Sequence, residues 1–265
     1  MSRFLPLVAI LAFSAGRAAA QPPASPSAAA ACAERSIQRQ LERAPAILGD
    51  WPNLARYREA NARLAPPAKG EERVVFMGDS ITDNWDNEGY GGFFPDRPYV
   101  NRGISGQTTP QMLVRFRPDV IGLQPKVVVI LAGTNDIAGN TGLMTLGAVE
   151  DNLVSMADLA KAHGIHVVLS SVLPVDDDDR DAQGQPLNRT RCRPPGLIAE
   201  LNRWMRDYAG GHGQVYLDYA TALADEKGML KAELSEDGVH PNAKGYAVMA
   251  PLAEKAIAAA LRKKP

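Results

Sequence analysis

The apolar positions between residues 73 and 217 fall into short, continuous runs that are rich in β-branched residues. The clearest run is Val127-Val-Val-Ile-Leu131, which polar and glycine-containing segments bound on both sides. Continuous apolar runs, rather than alternating ones, indicate strands that are buried on both faces, as in a parallel sheet. The pattern therefore predicts five parallel strands, at residues 73–77, 98–101, 127–131, 165–169 and 215–217.

Apolar residues recur at helical spacing between these strands. In the segment 195–209 they lie on one face of the predicted helix and comprise Leu197, Leu201, Trp204, Met205 and Tyr208. Three more helices are predicted at about 109–123, 147–163 and 242–262. The alternation of strands and helices predicts an α/β sandwich with right-handed crossovers.

The N-terminal residues do not follow this alternation. Arg3, an apolar stretch over 4–13 and small residues at 18–20 predict a secretory signal peptide over 1–20, with cleavage after Ala20. The apolar stretch is about ten residues long, which is too short for a stable membrane span of roughly twenty. The protein is therefore expected to be secreted or periplasmic.

The segment after the predicted signal peptide is rich in Pro, Ala and Ser, which predicts a disordered linker over 21–35. A single folded domain is expected over 36–265, and it begins with short helices up to residue 63 that pack on its outside. A break follows at residues 66–70, which contain two prolines and a glycine.

Composition excludes one class of partner. The formal net charge is −1, and Lys and Arg cluster only at the last few residues. Nucleic-acid binding requires concentrated positive charge, so no nucleic-acid partner is expected.

Cys32 and Cys192 are the only two cysteines, and they lie far apart in the chain. In an oxidising compartment they could form a disulfide that ties the N-terminal segment to the polar loop Asp176–Pro194. Two unpaired buried thiols are the alternative, because sequence alone cannot bring the two Cα atoms within bonding distance.

Residues with catalytic potential follow the predicted strands. Ser80 follows the first strand, the loop Gly103–Gly106 the second and Asn135 the third, and the segment Asp237–His240 comes after the fifth. The carboxyl ends of parallel strands meet at one edge of the sheet, where open α/β folds bind their ligands. We therefore expect these four segments to form one site.

These residue types fit nucleophilic catalysis. A serine hydroxyl needs an adjacent base, and His240 is suited to that role because imidazole exchanges protons near neutral pH. Asp237, three residues earlier, is close enough to orient the imidazole. A negative oxygen in the intermediate also needs hydrogen-bond donors. The candidates are the backbone N–H groups of Ser80 and Gly106 and the side-chain amide of Asn135, with Gly103 as an alternative to Gly106.

Four segments of the chain resemble the sequence blocks of the SGNH, or GDSL, hydrolase family. They are Gly78-Asp-Ser-Ile81, Asn101-Arg-Gly-Ile-Ser-Gly-Gln-Thr-Thr109, Gly133-Thr-Asn-Asp136 and Asp237-Gly-Val-His240, and they occur in the family's order. The resemblance covers about residues 73–260 and is closest to subunits of platelet-activating-factor acetylhydrolase and to bacterial carbohydrate or acyl esterases. It implies a flavodoxin-like three-layer α/β/α fold with a Ser80, His240 and Asp237 triad and no metal or other cofactor.

The expected activity is hydrolysis of a short-chain acyl ester, such as an acetyl group on a small molecule or a carbohydrate. No amphipathic lid helix with exposed Leu or Phe is evident in the sequence, and this favours a short acyl group. A lysophospholipase or thioesterase with the same triad is one alternative. A non-catalytic carbohydrate-binding relative is another. The sequence does not indicate the oligomeric state.

Overall fold

The computed structural model describes residues 28–42, 44–90, 92–177 and 188–263. The predicted signal peptide and residues 21–27 of the predicted linker lie outside these ranges.

Five parallel strands form one sheet in the order β2-β1-β3-β4-β5. This order is that of the flavodoxin-like folds, in which the chain direction across the sheet reverses between β1 and β3. The predicted parallel sheet is confirmed, with strand ends within two residues of the predicted ones. The strands are β1 (Val74–Gly78), β2 (Tyr99–Gly103), β3 (Val127–Leu131), β4 (His166–Ser170) and β5 (Val215–Leu217).

Helices connect the strands and cover both faces of the sheet. The four long helices predicted from apolar spacing are confirmed as α5, α7, α9 and α11. The α-helices in the described ranges are α1 (Ala28–Glu42), α2 (Ala44–Gly49), α3 (Arg58–Arg63), α4 (Ser80–Asp83), α5 (Thr109–Asp119), α6 (Thr134–Ile137), α7 (Leu146–Ala162), α8 (Arg189–Cys192), α9 (Pro195–Gly211), α10 (Tyr219–Leu223) and α11 (Ala243–Leu261).

Two apolar cores lie on opposite faces of the sheet, which explains why the strands are apolar throughout. On one face, side chains of β1, β3 and β4 pack against α5, α7 and α9, with Phe116 and Leu153 fully buried. On the other face they pack against α11 and an aromatic group that includes Trp85 and Tyr246. These layers confirm the predicted α/β/α sandwich.

The predicted linker is wrong for residues 28–35, because they form the first half of α1. The Pro/Ala/Ser composition suggested disorder, but this part of the segment is mostly alanine, which has the highest helix propensity. A disulfide between Cys32 and Cys192 also anchors α1, and the Cys32 side chain is buried. The pairing of the two cysteines, which the sequence left open, is thus present in the structure. In the described ranges, no helix is long and apolar enough to cross a membrane.

Candidate active site

The turn after β1 presents Ser80 at the carboxyl edge of the sheet. Asp79 caps α4, since its Oδ1 accepts the backbone N–H of Ile81 at 3.0 Å, and Ser80 is the first residue of that helix. Gly78 is required in this tight turn, because a Cβ atom there would lie 2.0 Å from Oγ1 of Thr82. As the first helical residue, Ser80 has a backbone N–H without an acceptor inside the helix.

His240 and Asp237 join Ser80 in a chain of hydrogen bonds. His240 Nε2 lies 2.8 Å from Ser80 Oγ, and His240 Nδ1 lies 2.7 Å from Asp237 Oδ2. With its proton on Nδ1, the ring donates to Asp237, and Nε2 is free to accept the serine proton. The structure thus brings together the three residues that the sequence selected as a catalytic group.

The carboxylate of Asp237 is held in its ionised form. Partial burial opposes ionisation, but hydrogen bonds from the His240 ring and from the backbone N–H groups of His240 and Val239 outweigh this effect and lower the pKa of Asp237 well below its usual range. Arg189 adds to this environment, because its Nε donates to the Asp237 carbonyl oxygen at 2.8 Å and its Nη2 lies 3.7 Å from Oδ2. An ionised carboxylate can stabilise an imidazolium on His240.

Gly238 sets the conformation of the loop that carries Asp237 and His240. Its φ is +73°, a region that glycine adopts without cost. A Cβ atom at this position would lie 2.4 Å from the carbonyl oxygen of Asp176. The Gly238 carbonyl oxygen in turn accepts the N–H of Asp176 at 2.9 Å. The loop is therefore fastened to the segment after β4.

The loop after β2 distinguishes between the two glycines proposed as oxyanion donors. The Gly103 N–H donates to Asn101 Oδ1 at 2.8 Å, and a Cβ atom at Gly103 would lie 2.1 Å from the backbone nitrogen of Asp83. Gly103 therefore serves close packing of α4 on β2. Gly106, in contrast, is exposed with φ +81°, and its N–H has no acceptor in the part of the chain that the structure describes. This arrangement favours Gly106 as the donor.

Asn135 is buried at the end of β3, and protein acceptors already engage its side-chain amide. Nδ2 donates to the carbonyl oxygen of Gln107 at 3.0 Å and to Asp79 Oδ2 at 3.3 Å, the longer of the two bonds. To donate to a substrate oxygen, Asn135 must share or release one of these bonds. The bond to Asp79 is the weaker by its length.

Asp79 does more than cap α4. Its side chain is fully buried beneath the site, and burial raises its pKa to about 6, a shift that the nearby His240 and Arg193 reduce. The contact with Asn135 carries no sequence signal, because the two residues are 56 positions apart.

Two buried or half-buried arginines were not identified from the sequence. Arg115 of α5 is completely buried and donates to the carbonyl oxygens of Gly78 at 2.9 Å and Arg102 at 2.8 Å, so that it joins the ends of β1 and β2. Arg193, directly after the disulfide-bonded Cys192, donates to Asn135 Oδ1 at 3.3 Å. Neither has a motif that sequence reasoning could have used.

A parallel α/β/α sandwich with hydrogen-bonded Ser80, His240 and Asp237 at its carboxyl edge has the arrangement of a serine hydrolase. The family model of the GDSL-like lipases/acylhydrolases matches residues 76–248, and the chain belongs to that family. The resemblance seen in the four sequence blocks is thereby confirmed.

Similar proteins agree with this assignment. A solved structure of a Bacteroides fragilis protein that carries an acylhydrolase assignment is 43% identical, with a TM-score of 0.72, over 80% of this chain and 99% of its own. The acetylxylan esterase of Geobacillus stearothermophilus is 26% identical in an alignment of 209 positions, which covers 68% of this chain and 90% of the esterase. The uncharacterized lipoprotein YqeF of Bacillus subtilis (strain 168) is 32% identical in an alignment of 127 positions, which covers 40% of this chain. The chain spans about half (51%) of the length of that lipoprotein.

Proposed function

We propose that this protein is a carboxylic ester hydrolase that uses Ser80 as nucleophile, His240 as general base and Asp237 as the residue that orients His240. The chain of hydrogen bonds from Ser80 Oγ through the imidazole to Asp237, at 2.8 and 2.7 Å, is the observation that carries the proposal. Such a chain activates a hydroxyl that is otherwise a weak nucleophile.

In the proposed cycle, Ser80 Oγ attacks the ester carbonyl while its proton moves to His240 Nε2. The negative oxygen that forms accepts hydrogen bonds from the backbone N–H groups of Ser80 and Gly106 and from the Asn135 amide. His240 then returns the proton to the leaving alcohol, and an acyl group stays on Ser80. Water, deprotonated by His240, releases the acid and restores the serine.

We propose a short acyl group, such as acetyl, on a small-molecule or carbohydrate alcohol. The acetylxylan esterase activity named for the Geobacillus relative supports this choice. A lysophospholipase or thioesterase activity with longer acyl groups is the second candidate, because the structure shows a group of exposed apolar side chains before β1. They lie on α1, α2 and the segment after them, namely Ile37, Leu41, Leu48, Trp51 and Leu54.

The end of this segment, at Trp51 and Pro52, lies next to the loop after β2 that carries Gly106 and Gln107 (the oxyanion loop). The carbonyl oxygen of Pro52 accepts Gln107 Nε2 at 2.7 Å, and the carbonyl oxygen of Trp51 accepts Gln111 Nε2 at 2.8 Å. The sequence-based argument against a long acyl group rested on the lack of exposed apolar helical residues, so these contacts reopen that question.

The decisive experiment compares Ser80→Ala with Ser155→Ala, a serine on the surface of α7, on p-nitrophenyl acetate, butyrate and octanoate and on acetylated xylo-oligosaccharides. We expect Ser80→Ala to lower kcat by at least about 10³-fold and Ser155→Ala to leave it unchanged. Highest kcat/KM on acetyl esters would support the short acyl group, and highest kcat/KM on octanoate the second candidate. Full activity of Ser80→Ala would overturn the mechanism.

We further propose that residues 1–20 are a cleaved signal peptide and that the hydrolase domain is exported. The sequence pattern of this segment, the disulfide between Cys32 and Cys192, and the similarity to a lipoprotein support export. N-terminal sequencing of the exported protein is expected to begin at Gln21. Accumulation of the full-length chain in the cytoplasm would contradict this proposal.

A further inference from the structure

An arginine contacts the side of Asn135 that faces away from the oxyanion loop. Arg193 Nη2 donates to Asn135 Oδ1 at 3.3 Å, and Arg193 Nε donates to Oγ1 of Thr134 at 3.0 Å. The other end of the Asn135 amide, Nδ2, donates to the Gln107 carbonyl oxygen directly after Gly106. The amide thus lies between a cation on its oxygen and the oxyanion loop on its nitrogen.

This arrangement has a chemical consequence for the amide. A hydrogen bond from a charged donor to an amide oxygen draws electron density from the nitrogen and makes its N–H groups stronger donors. It also opposes the flipped orientation, which would place Nδ2 against the guanidinium and Oδ1 against the Gln107 carbonyl oxygen. The positive charge of Arg193 also acts on the buried Asp79, which contacts Asn135 Nδ2, and lowers the pKa of that carboxyl group.

The backbone around Arg193 is constrained on both sides. Cys192 is joined to Cys32 of α1 by the disulfide, and the Arg193 N–H donates to the carbonyl oxygen of Arg189 at 3.0 Å. Pro194 and Pro195 follow, and α9 begins at Pro195. A cross-link before the arginine and two residues of fixed φ after it leave little freedom for its Cα. The covalent structure around Arg193 therefore restrains the backbone from which its guanidinium reaches Thr134 and Asn135.

We propose that Arg193 is a positioning residue of the oxyanion hole: its guanidinium fixes and polarises the Asn135 amide, and it extends from a backbone that the neighbouring Cys32–Cys192 disulfide restrains. This proposal rests on the proposed function, because it requires Asn135 to donate to the oxyanion. Arg193 acts through Asn135. Its removal should therefore reduce the stabilisation of the transition state and leave substrate binding nearly unchanged.

The test is a double-mutant cycle of Arg193→Ala and Asn135→Ala, with kcat and KM measured on p-nitrophenyl acetate. Loss of a complete oxyanion donor costs about 10²–10³-fold in kcat, so we expect Arg193→Ala to cost about 10–100-fold with KM within about threefold. In the Asn135→Ala background, Arg193→Ala should change kcat by less than about twofold, because residues that act as one unit are not additive.

Arg191→Ala is the matched control, since Arg191 is an exposed arginine on the same segment. It should retain full kcat. If Arg193→Ala lowers the melting temperature strongly, two other measurements replace the double-mutant cycle. One is kcat of the conservative variant Arg193→Lys. The other is the recovery of kcat in Arg193→Ala when guanidinium is added. Restoration by guanidinium but not by sodium chloride supports positioning, and no restoration contradicts it.

The outcomes separate this inference from the proposed function. If Ser80→Ala and Asn135→Ala are inactive but Arg193→Ala keeps full kcat, the role proposed for Arg193 is overturned and the proposed function stands. Effects of Arg193→Ala and Asn135→Ala that multiply in the double variant would also overturn it. An active Ser80→Ala would instead overturn the proposed function.

Discussion

Asp237 holds His240 through both of its carboxylate oxygens. Oδ2 accepts the ring Nδ1 at 2.7 Å, and Oδ1 accepts the backbone N–H of the same residue at 2.8 Å. The first contact sets the tautomer of the imidazole, and the second fixes the main chain that carries it. One side chain therefore determines both the orientation and the position of the proposed base.

Asp237→Asn should lower kcat by about 10²–10⁴-fold with KM within a few fold, because an asparagine can accept only one of these two bonds and disfavours the required tautomer. Steady-state kinetics on p-nitrophenyl acetate would check this. Since the pKa of Asp237 lies well below its usual range, the loss should be the same at about pH 6 and about pH 8. A variant that recovers wild-type kcat at either pH would refute an orienting role for this carboxylate.

Asp79 should make stability depend on pH. Burial raises its pKa to about 6 in the folded protein, whereas an unfolded aspartate has a pKa of about 4. The folded state thus binds the proton more tightly, so the stability linked to this group is fully present below about pH 4 and is lost as the pH rises through about 6. Wild type should therefore lose about 1–3 kcal/mol relative to Asp79→Asn between about pH 4 and pH 8.

Urea unfolding of wild type and Asp79→Asn across this pH range measures the difference, and the titration of other groups largely cancels between the two proteins. A difference in the free energy of unfolding that stays constant with pH would show that Asp79 has an ordinary pKa. The opposite slope would show that the Asn135 contact favours the ionised form more than burial opposes it.

The fold and the place of the site follow from local sequence, for reasons visible in β3. Its run of five apolar residues, Val127–Leu131, has no polar interruption, and the structure has the same boundaries. Once five such runs alternate with helices, parallel topology places Ser80, Asn135 and His240 at one edge. Their co-location therefore did not require any knowledge of side-chain contacts.

The contacts that complete the site could not be predicted in this way. Arg193 meets Asn135 across 58 positions of sequence, and Arg115 meets Gly78 across 37. Such pairs depend on how helices and loops pack on the sheet edge, which no local pattern encodes. The first half of α1 was missed for a related reason. The alanines over 28–31 can be helical or disordered, and the distant Cys192 anchors the helix through Cys32.

Gly238→Ala should lower both kcat and stability, because the new Cβ would lie 2.4 Å from the Asp176 carbonyl oxygen and force the loop of Asp237 and His240 to move. Gly228→Ala is a matched control, since Gly228 has a similar φ of +78° but a Cβ atom there would have no neighbouring atom within 4 Å. Both variants place an alanine at a positive φ, which costs about 1 kcal/mol of backbone strain. Only Gly238→Ala should also have a lower kcat, reduced about tenfold or more. Equal kcat in the two variants would contradict a positioning role for this glycine.

Arg115→Met should be the most destabilising of these substitutions, although Arg115 does not touch the proposed catalytic residues. Its Nη1 donates to Asp119 Oδ2 at 3.1 Å, and both side chains are almost completely buried. Methionine fills a similar volume but leaves the Asp119 carboxylate and the carbonyl oxygens of Gly78 and Arg102 without this donor. Breaking one partner of a buried ion pair costs about 3–5 kcal/mol in the free energy of unfolding.

Arg117→Met, an exposed arginine on the same helix, should change the free energy of unfolding by less than about 0.5 kcal/mol. Urea unfolding of both variants provides the comparison. Arg115→Met should also lose kcat at temperatures where it remains folded, because Gln107, whose side chain accepts from Arg115, carries the carbonyl oxygen that binds Asn135. A folded Arg115→Met with wild-type kcat would show that the oxyanion loop keeps its conformation without the buried arginine.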